Sequence, residues 1–494
     1  MKEKIKNSKG ITLIALIITI IILVILAAVS IRAVTNMGIV GHAINGTQEY
    51  AREAKAENEM LDTTGDTIDS ALARLKEIQG GSGNAGGTGS SGSGNTGVTL
   101  TAGQTSPATG GTYQNVPIPA GFTVSGVSGE ATSVDDGIVV YDLKGADATV
   151  TNFWTADTNS NNIPDVQENY NQFVWVPVTT PYVTAASLQT IITNSNGDIT
   201  DETGALQSLV NGATSQYPMA VQYTGTIGGQ SATCYRGVLY DFSEGTNGVE
   251  MTVKDFSSTA DYVDGSADNS FTDYYREPAY LSDYDGSASD YKTGLTITQD
   301  ILQSEYNAMV EKVAASGGFY VARYELSYNS TNNKGESKRA KTVSTAYDAA
   351  TEYWYGLYSA CQGMYNQSTD TVQSMMITGA QYDQIMIWMR NETNPNVSGE
   401  YYILDSTGMG WYSDVSSYEV TTTGSNNAYA VKKVFDLAGN VYEWTSEAYP
   451  ASSRAGRGCT YYRNGSDYPA FYRGDDSPYS DNYVFSSRST IYVK

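Results

Sequence analysis

The chain has 494 residues, enough for two or three folding units. Its formal charge is −24, from 29 Lys and Arg against 53 Asp and Glu. Such a surface repels phosphates and excludes nucleic acid as a partner. A single histidine, His42, excludes a Ser-His-Asp triad, a His-rich zinc site and a facial-triad iron site from the distal chain.

The chain opens with MKEKIKNSKG and then an uncharged run from Ile11 to Ile31. At 1.5 Å per residue that run is long enough to cross a hydrocarbon core of roughly 30 Å. Lys2, Lys4, Lys6 and Lys9 precede it and the acidic bulk follows, so the N-terminus is expected in the cytoplasm and the rest outside. A secretory signal would carry its small residue after the apolar core; here Gly10 stands before it. This arrangement, over roughly residues 6 to 32, resembles the class III leader of type IV pilins and pseudopilins. The resemblance implies cleavage between Gly10 and Ile11 by a prepilin peptidase. It further implies a filament-core helix that packs against other pilin-like subunits, and a Gram-positive cell surface. Major pilins carry Glu at the fifth mature position; here it is Ala15, which points to a minor or tip subunit. The alternative is a plain single-span anchor.

Residues 34–79 keep a helical pattern rich in Ala, Glu, Lys and Leu, with Ala71, Leu72, Leu75 and Ile78 at helical spacing. They are expected to form a stem. Residues 80–112 then change composition: GGSGNAGGTGSSGSGNTG is a Gly/Ser coil with no means of packing, read as a tether.

From Val116 the chain reads as short strands and helices. DGIVVYDL, QFVWVPV and GGFYVARYE are strand-like; ILQSEYNAMVEKVAAS and TGAQYDQIMIWMRN are helix-like. DTNSNNIPDVQE, residues 157–168, has the oxygen-donor spacing of a calcium loop. Asp157, Asn159 and Asn161 fall at loop positions 1, 3 and 5. Ile163 would offer its carbonyl at position 7, Asp165 a water-mediated contact at 9 and Glu168 a bidentate carboxylate at 12. Asn162 at position 6 accepts a left-handed backbone. The alternative is an Asx-rich turn. Cys234, Cys361 and Cys459 are odd in number, which excludes a full disulfide framework and leaves one pair open.

VFDLAGNVYEWTSEAY resembles the DxxGNVWEW signature of the formylglycine-generating-enzyme-like family, whose fold is C-type-lectin-like. Phe173 to Val178, Phe319 to Ser327, Thr378 to Met389 and the RGCTYYR block from Arg457 follow that family's order of blocks. The resemblance implies a second calcium site, with side chains from Asp436 and Glu443 and carbonyls from Gly439 and Val441. It does not carry the catalysis. The segment after the RGCTYYR block has no cysteine, Cys459 falls at a serine-like position, and this part of the chain has no histidine.

The segment from Thr460 to Tyr483 is rich in Tyr, Asn, Ser and Asp, the composition of an adaptable binding surface. Its candidate contact residues are Tyr461, Tyr462, Asn464, Ser466, Asp467, Tyr468, Tyr472, Asp475, Asp476, Tyr479, Asp481 and Asn482. It resembles the C-terminal variable segment of retroelement-diversified proteins. The alternative is an ordinary polar loop region.

The expected fold class is therefore α+β: a long N-terminal pilin-like helix, a Gly/Ser linker and a lectin-like head over residues 116–494. The expected function is a surface-displayed minor or tip pilin-like subunit whose non-catalytic head binds an extracellular protein or glycan, with calcium as cofactor. The alternatives are a membrane-anchored formylglycine-generating-like enzyme and an uncleaved single-span binding protein.

Overall fold

A computed structural model describes residues 98–184, 217–238, 240–242, 252–253, 277–292, 294–412, 419–449 and 452–494. The leader, the apolar run, the stem and the Gly/Ser tract to residue 97 lie outside these residues. Their cleavage point, Gly10 and Ile11, is outside them too.

The central element is a six-stranded antiparallel sheet. Its order across the sheet is Val372–Met376, Ser489–Val493, Gly318–Ala322, Asn171–Pro177, Val139–Asp142 and Thr123–Val124. The C-terminal strand thus lies inside the sheet, with Ile491 opposite Tyr320 on one side and Ser374 on the other.

Both faces of this sheet are covered, and that explains the unbroken apolar runs of its middle strands. Val174, Val176, Phe319 and Val321 enter one core, and Phe173, Trp175, Tyr320 and Ala322 the other. Among the described residues five helices flank the strands: α1 (Asp165–Asn169), α2 (Ala288–Tyr291), α3 (Gln299–Ser316), α4 (Tyr353–Gly363) and α5 (Gly379–Met389). The first core takes Met309, Val310 and Val313 of α3 with Ile385, Met386 and Met389 of α5. The second takes Trp354, Tyr355 and Leu357 of α4.

The long helices begin where the sequence supplies caps. The Thr298 hydroxyl accepts the Ile301 N–H at the start of α3, and Gly317 closes that helix at φ +76°. Thr378 and Gln381 form a reciprocal capping box on α5.

A four-stranded sheet carries the C-terminal segment, in the order Arg473–Asp476, Arg454–Arg457, Tyr442–Ala448 and Phe485–Ser487. The last pair is parallel and the others antiparallel. A third sheet holds the hairpin Ala220–Ile227 and Gln230–Gly237, joined by Gly228 and Gly229 at φ +58° and +75°. Left-handed backbone at both turn residues matches the twist of such a hairpin and favours glycine.

Two sequence expectations are corrected. Among the described residues the fold is not α+β but mainly strand, 28% against 17% helix, and no helix there is long and apolar enough to cross a membrane; the expected long N-terminal helix lies outside these residues. The physical reason is the two-sided burial: among the described residues many strands in two sheets are covered by three helices of more than two turns. The folded part also starts before Val116. Val98–Thr99 pairs with Gly111–Tyr113, and Leu100 is buried beneath Gly111, where a Cβ would fall 2.9 Å from a Leu100 methyl.

Candidate functional site

The loop at residues 157–168 closes on itself through side-chain to backbone hydrogen bonds. The Asp157 carboxylate accepts the N–H groups of Asn161 (3.1 Å) and Asn162 (2.9 Å). Asn159 Oδ1 accepts Asn161 N–H and Asn161 Oδ1 accepts Ile163 N–H. Asn162 sits at φ +65°. The two oxygens of Glu168 lie 2.9 Å from the carboxamide nitrogens of Asn159 and Asn161. Loop positions 1, 3, 5 and 12 therefore converge. Asp165 does not join them; its carboxylate accepts the N–H and hydroxyl of Thr158.

Both ends of the loop are anchored in the core. On one side Trp154 packs edge-on to Tyr141 and fills the space over Gly126, where a Cβ would lie 2.5 Å from its indole nitrogen. On the other, Gln167 of α1 is buried beside Glu168. It donates to Glu130 (2.6 Å) and accepts from Arg339 (2.8 Å). The donor set of carboxylates, carboxamides and one carbonyl fits a calcium ion if the Asn159 and Asn161 oxygens turn toward Glu168, which exchanges their bonds to the Asn161 and Ile163 N–H groups for bonds to the cation. Among the described residues no three His, Cys, Asp or Glu side chains group as a metal centre, so the carboxamides are essential to this fit.

The second set lies fully inside the protein. Glu443 is paired with Arg488, whose Nε stands 3.0 and 2.9 Å from its two oxygens. A guanidinium thus supplies the positive charge at that carboxylate. Asp436, at φ +57°, accepts Gly424 N–H at 2.8 Å, while its other oxygen is buried with no partner among the described residues. Burial pushes the Asp436 carboxyl up to about 6. Burial and the neighbouring Asp436 and Glu443 push Glu325 up as well. Gly439, at φ +80°, pairs with Trp411, and Val441 N–H points to Glu325 (3.3 Å). These residues hold the turn into strand Tyr442–Ala448.

The C-terminal segment forms two aromatic clusters at the surface. In the first, the Arg463 guanidinium lies 5.1 Å from the Tyr462 ring and 4.6 Å from that of Tyr468, and Tyr468 meets Tyr472 edge-on at 4.8 Å. In the second, Tyr479 stacks on Tyr291 at 4.0 Å, with Tyr284 and Tyr353 alongside. Tyr353 opens α4 at φ +63°, a backbone conformation that costs a bulky residue on the order of 1–3 kcal/mol.

Asn464, Ser466 and Asp467 are exposed and bond among themselves in one turn. Asp475 is exposed and Asp476 half-buried on the edge strand. Asp481 is exposed; Asn482 caps Val484 N–H at 3.2 Å. Tyr461 is fully buried, so its ring belongs to the core and not to the binding face, a correction to its place among the contact residues. Tyr284, Tyr291, Tyr353 and Arg463 complete the clusters and carry no signal in the sequence. Only their distance from the C-terminal tyrosines in the fold reveals them.

A largely buried ring of charges joins α5 to the four-stranded sheet. Asp383 of α5 takes Arg457 at 2.7 Å and Arg473 at 2.6 Å, and Glu447 takes Arg473 at 2.8 Å. The ring ties α5 to strands Tyr442–Ala448, Arg454–Arg457 and Arg473–Asp476, which flank the loops that hold the tyrosines.

No family model and no curated protein matches the chain. Among solved structures, Treponema denticola variable protein 1 is similar at 12% identity with a TM-score of 0.22, covering 35% of this chain and 95% of that one. At that score the likeness carries no argument about fold or function. The pilin-like and formylglycine-generating-like resemblances find no support in these comparisons.

Proposed function

We propose that this chain is a surface-displayed, non-catalytic recognition protein. Its C-terminal tyrosine face binds an extracellular protein or glycan. Its N-terminal segment is processed at Gly10 and carries the head as a minor or tip pilin-like subunit.

The observation that supports the reading best is the half-buried array of Tyr462, Tyr468 and Tyr472 in one cluster and Tyr479 in the other. Tyrosine offers apolar area and a hydroxyl at small entropic cost. This array is already stacked and braced by Arg463 and Tyr291. Thiol chemistry is disfavoured. Cys361 and Cys459 are buried, and burial pushes both thiols up to about 12, leaving them protonated and inert at neutral pH. Calcium in the loop at residues 157–168 would hold that part of the head in one conformation.

The test combines intact mass with N-terminal sequencing of protein from membranes and from sheared surface material. A chain starting at Ile11 in the sheared fraction is the expected result. A chain starting at Met1 and confined to membranes removes the pilin part of the reading. The recognition part is tested separately: cells carrying Tyr468→Ser with Tyr472→Ser should lose attachment, and unchanged attachment overturns it.

A further inference from the structure

A cavity of about 340 Å³ opens beside α1, away from the residues of both tyrosine clusters. Its walls are the end of strand Val139–Asp142, the residues that follow Glu168, and the hairpin Ser327–Asn329 and Lys334–Glu336. Three lysines, Lys144, Lys334 and Lys338, meet there with two acids, Asp142 and Glu336. The lining is therefore net positive in a chain whose formal charge is −24.

The acids do not use up the cations. Lys144 pairs with Asp142, and Lys338 stands 2.7 Å from Glu336. Among the described residues, Lys334 is matched only by the Met364 carbonyl at 3.4 Å. Each ammonium has three N–H groups, so donors remain to face the cavity. Asp142 is also held by the Tyr365 hydroxyl at 2.6 Å, and Glu336 by Asn329 at 2.9 Å, so the acids are partly satisfied from within.

The hairpin that brings Lys334 here is fixed in place. Asn333 turns at φ +55°, the Lys334 N–H bonds to Asn332 Oδ1 at 3.1 Å, and Gly335 presses against α4, where a Cβ would fall 2.8 Å from the Ala360 carbonyl oxygen.

We propose that this cavity binds an anionic saccharide unit. The lysines would take its acid group. The carboxamides of Asn169 and Asn332, each both donor and acceptor, would take its hydroxyls, and the half-buried Tyr170 ring would lie along its apolar face. The cavity has no arginine fork for a phosphate and no apolar depth for a peptide side chain. The volume is at the lower end of ligand pockets, which suits one or two sugar rings.

The test is calorimetry on the full-length chain in detergent, with sialyllactose and oligogalacturonate as carboxylated probes, a sulfated heparin disaccharide, neutral lactose and inorganic phosphate. The expected result is binding of at least one acidic saccharide, weakened by salt. Lys144→Gln with Lys334→Gln should reduce its affinity about tenfold or more without lowering the thermal midpoint. Tyr468→Ser should leave it unchanged, which separates this site from the tyrosine face. Carboxylated and sulfated probes distinguish the source of the acid group within the one class. Binding of lactose or phosphate alone, no binding of any acidic saccharide, or affinity indifferent to the two lysines overturns the proposal.

Discussion

Arg488 and Glu443 face each other where the two large sheets meet, both fully buried, with the guanidinium Nε 3.0 and 2.9 Å from the carboxylate oxygens. Arg488 sits between strand Phe485–Ser487 of one sheet and Ser489–Val493 of the other. It also donates to the Ala322 carbonyl at 2.9 Å and the Phe435 carbonyl at 2.7 Å. One side chain thus satisfies acceptors from both sheets. Removing it would strand a buried carboxylate, at a cost of about 3–5 kcal/mol. Arg488→Leu is expected to lower the denaturation midpoint sharply. Adding Glu443→Leu should recover part of the loss, because the unpaired charge is then gone. A double variant as unstable as the single one would locate the cost in the lost carbonyl contacts instead.

Calcium should raise the thermal midpoint of the protein through the loop at residues 157–168. Glu168 offers two oxygens to the point where Asn159 and Asn161 converge, so Glu168→Gln is expected to weaken binding about tenfold or more. Isothermal titration with calcium reads this directly. If wild-type protein gives no heat and no shift of midpoint, the loop is an Asx turn without a cation.

Glu277 is buried at the start of α5, where it accepts the N–H groups of Gly379 and Ala380, both at 2.9 Å, and the Ser446 hydroxyl. Burial, and then the charge of Glu447, push its carboxyl up to about 7. Between about pH 4.5 and 7 the folded protein holds a proton here that the unfolded chain releases. The stability linked to Glu277 is therefore full below pH 4.5 and is lost as the pH rises to about 7, by on the order of 3 kcal/mol. Thermal midpoints across that window should fall with pH, and Glu277→Gln should flatten the slope. An equal slope in the variant would assign the effect to other groups.

Tyr353 holds a left-handed backbone at the first residue of α4 and places its ring 5.6 Å from Tyr291. Glycine at this position removes the strain, about 1 kcal/mol or more, and also removes the ring. Tyr353→Gly is expected to leave the unfolding free energy within about 1 kcal/mol of wild type while reducing attachment of cells that display the protein. A large loss of stability would show that the ring serves packing more than recognition.

Much of the local structure was legible in the sequence. The apolar runs of Asn171–Pro177 and Gly318–Ala322, the helical spacing of α3 and α5, and the closing pattern of Asp157, Asn159, Asn161 and Glu168 depend on neighbours within one or two turns of chain. Short-range sterics and hydrogen bonds set such features, and residue order records them. The excess of strand over helix among the described residues, the pairing of Val98–Thr99 with Gly111–Tyr113 and the burial of Tyr461 were decided by tertiary packing. So were the pairing of Tyr479 with Tyr291, the capture of Glu443 by Arg488 and the gathering of Lys144, Lys334 and Lys338 around one cavity. Each joins segments remote in sequence, and which remote groups meet is fixed by the order of strands in the sheets rather than by any local pattern.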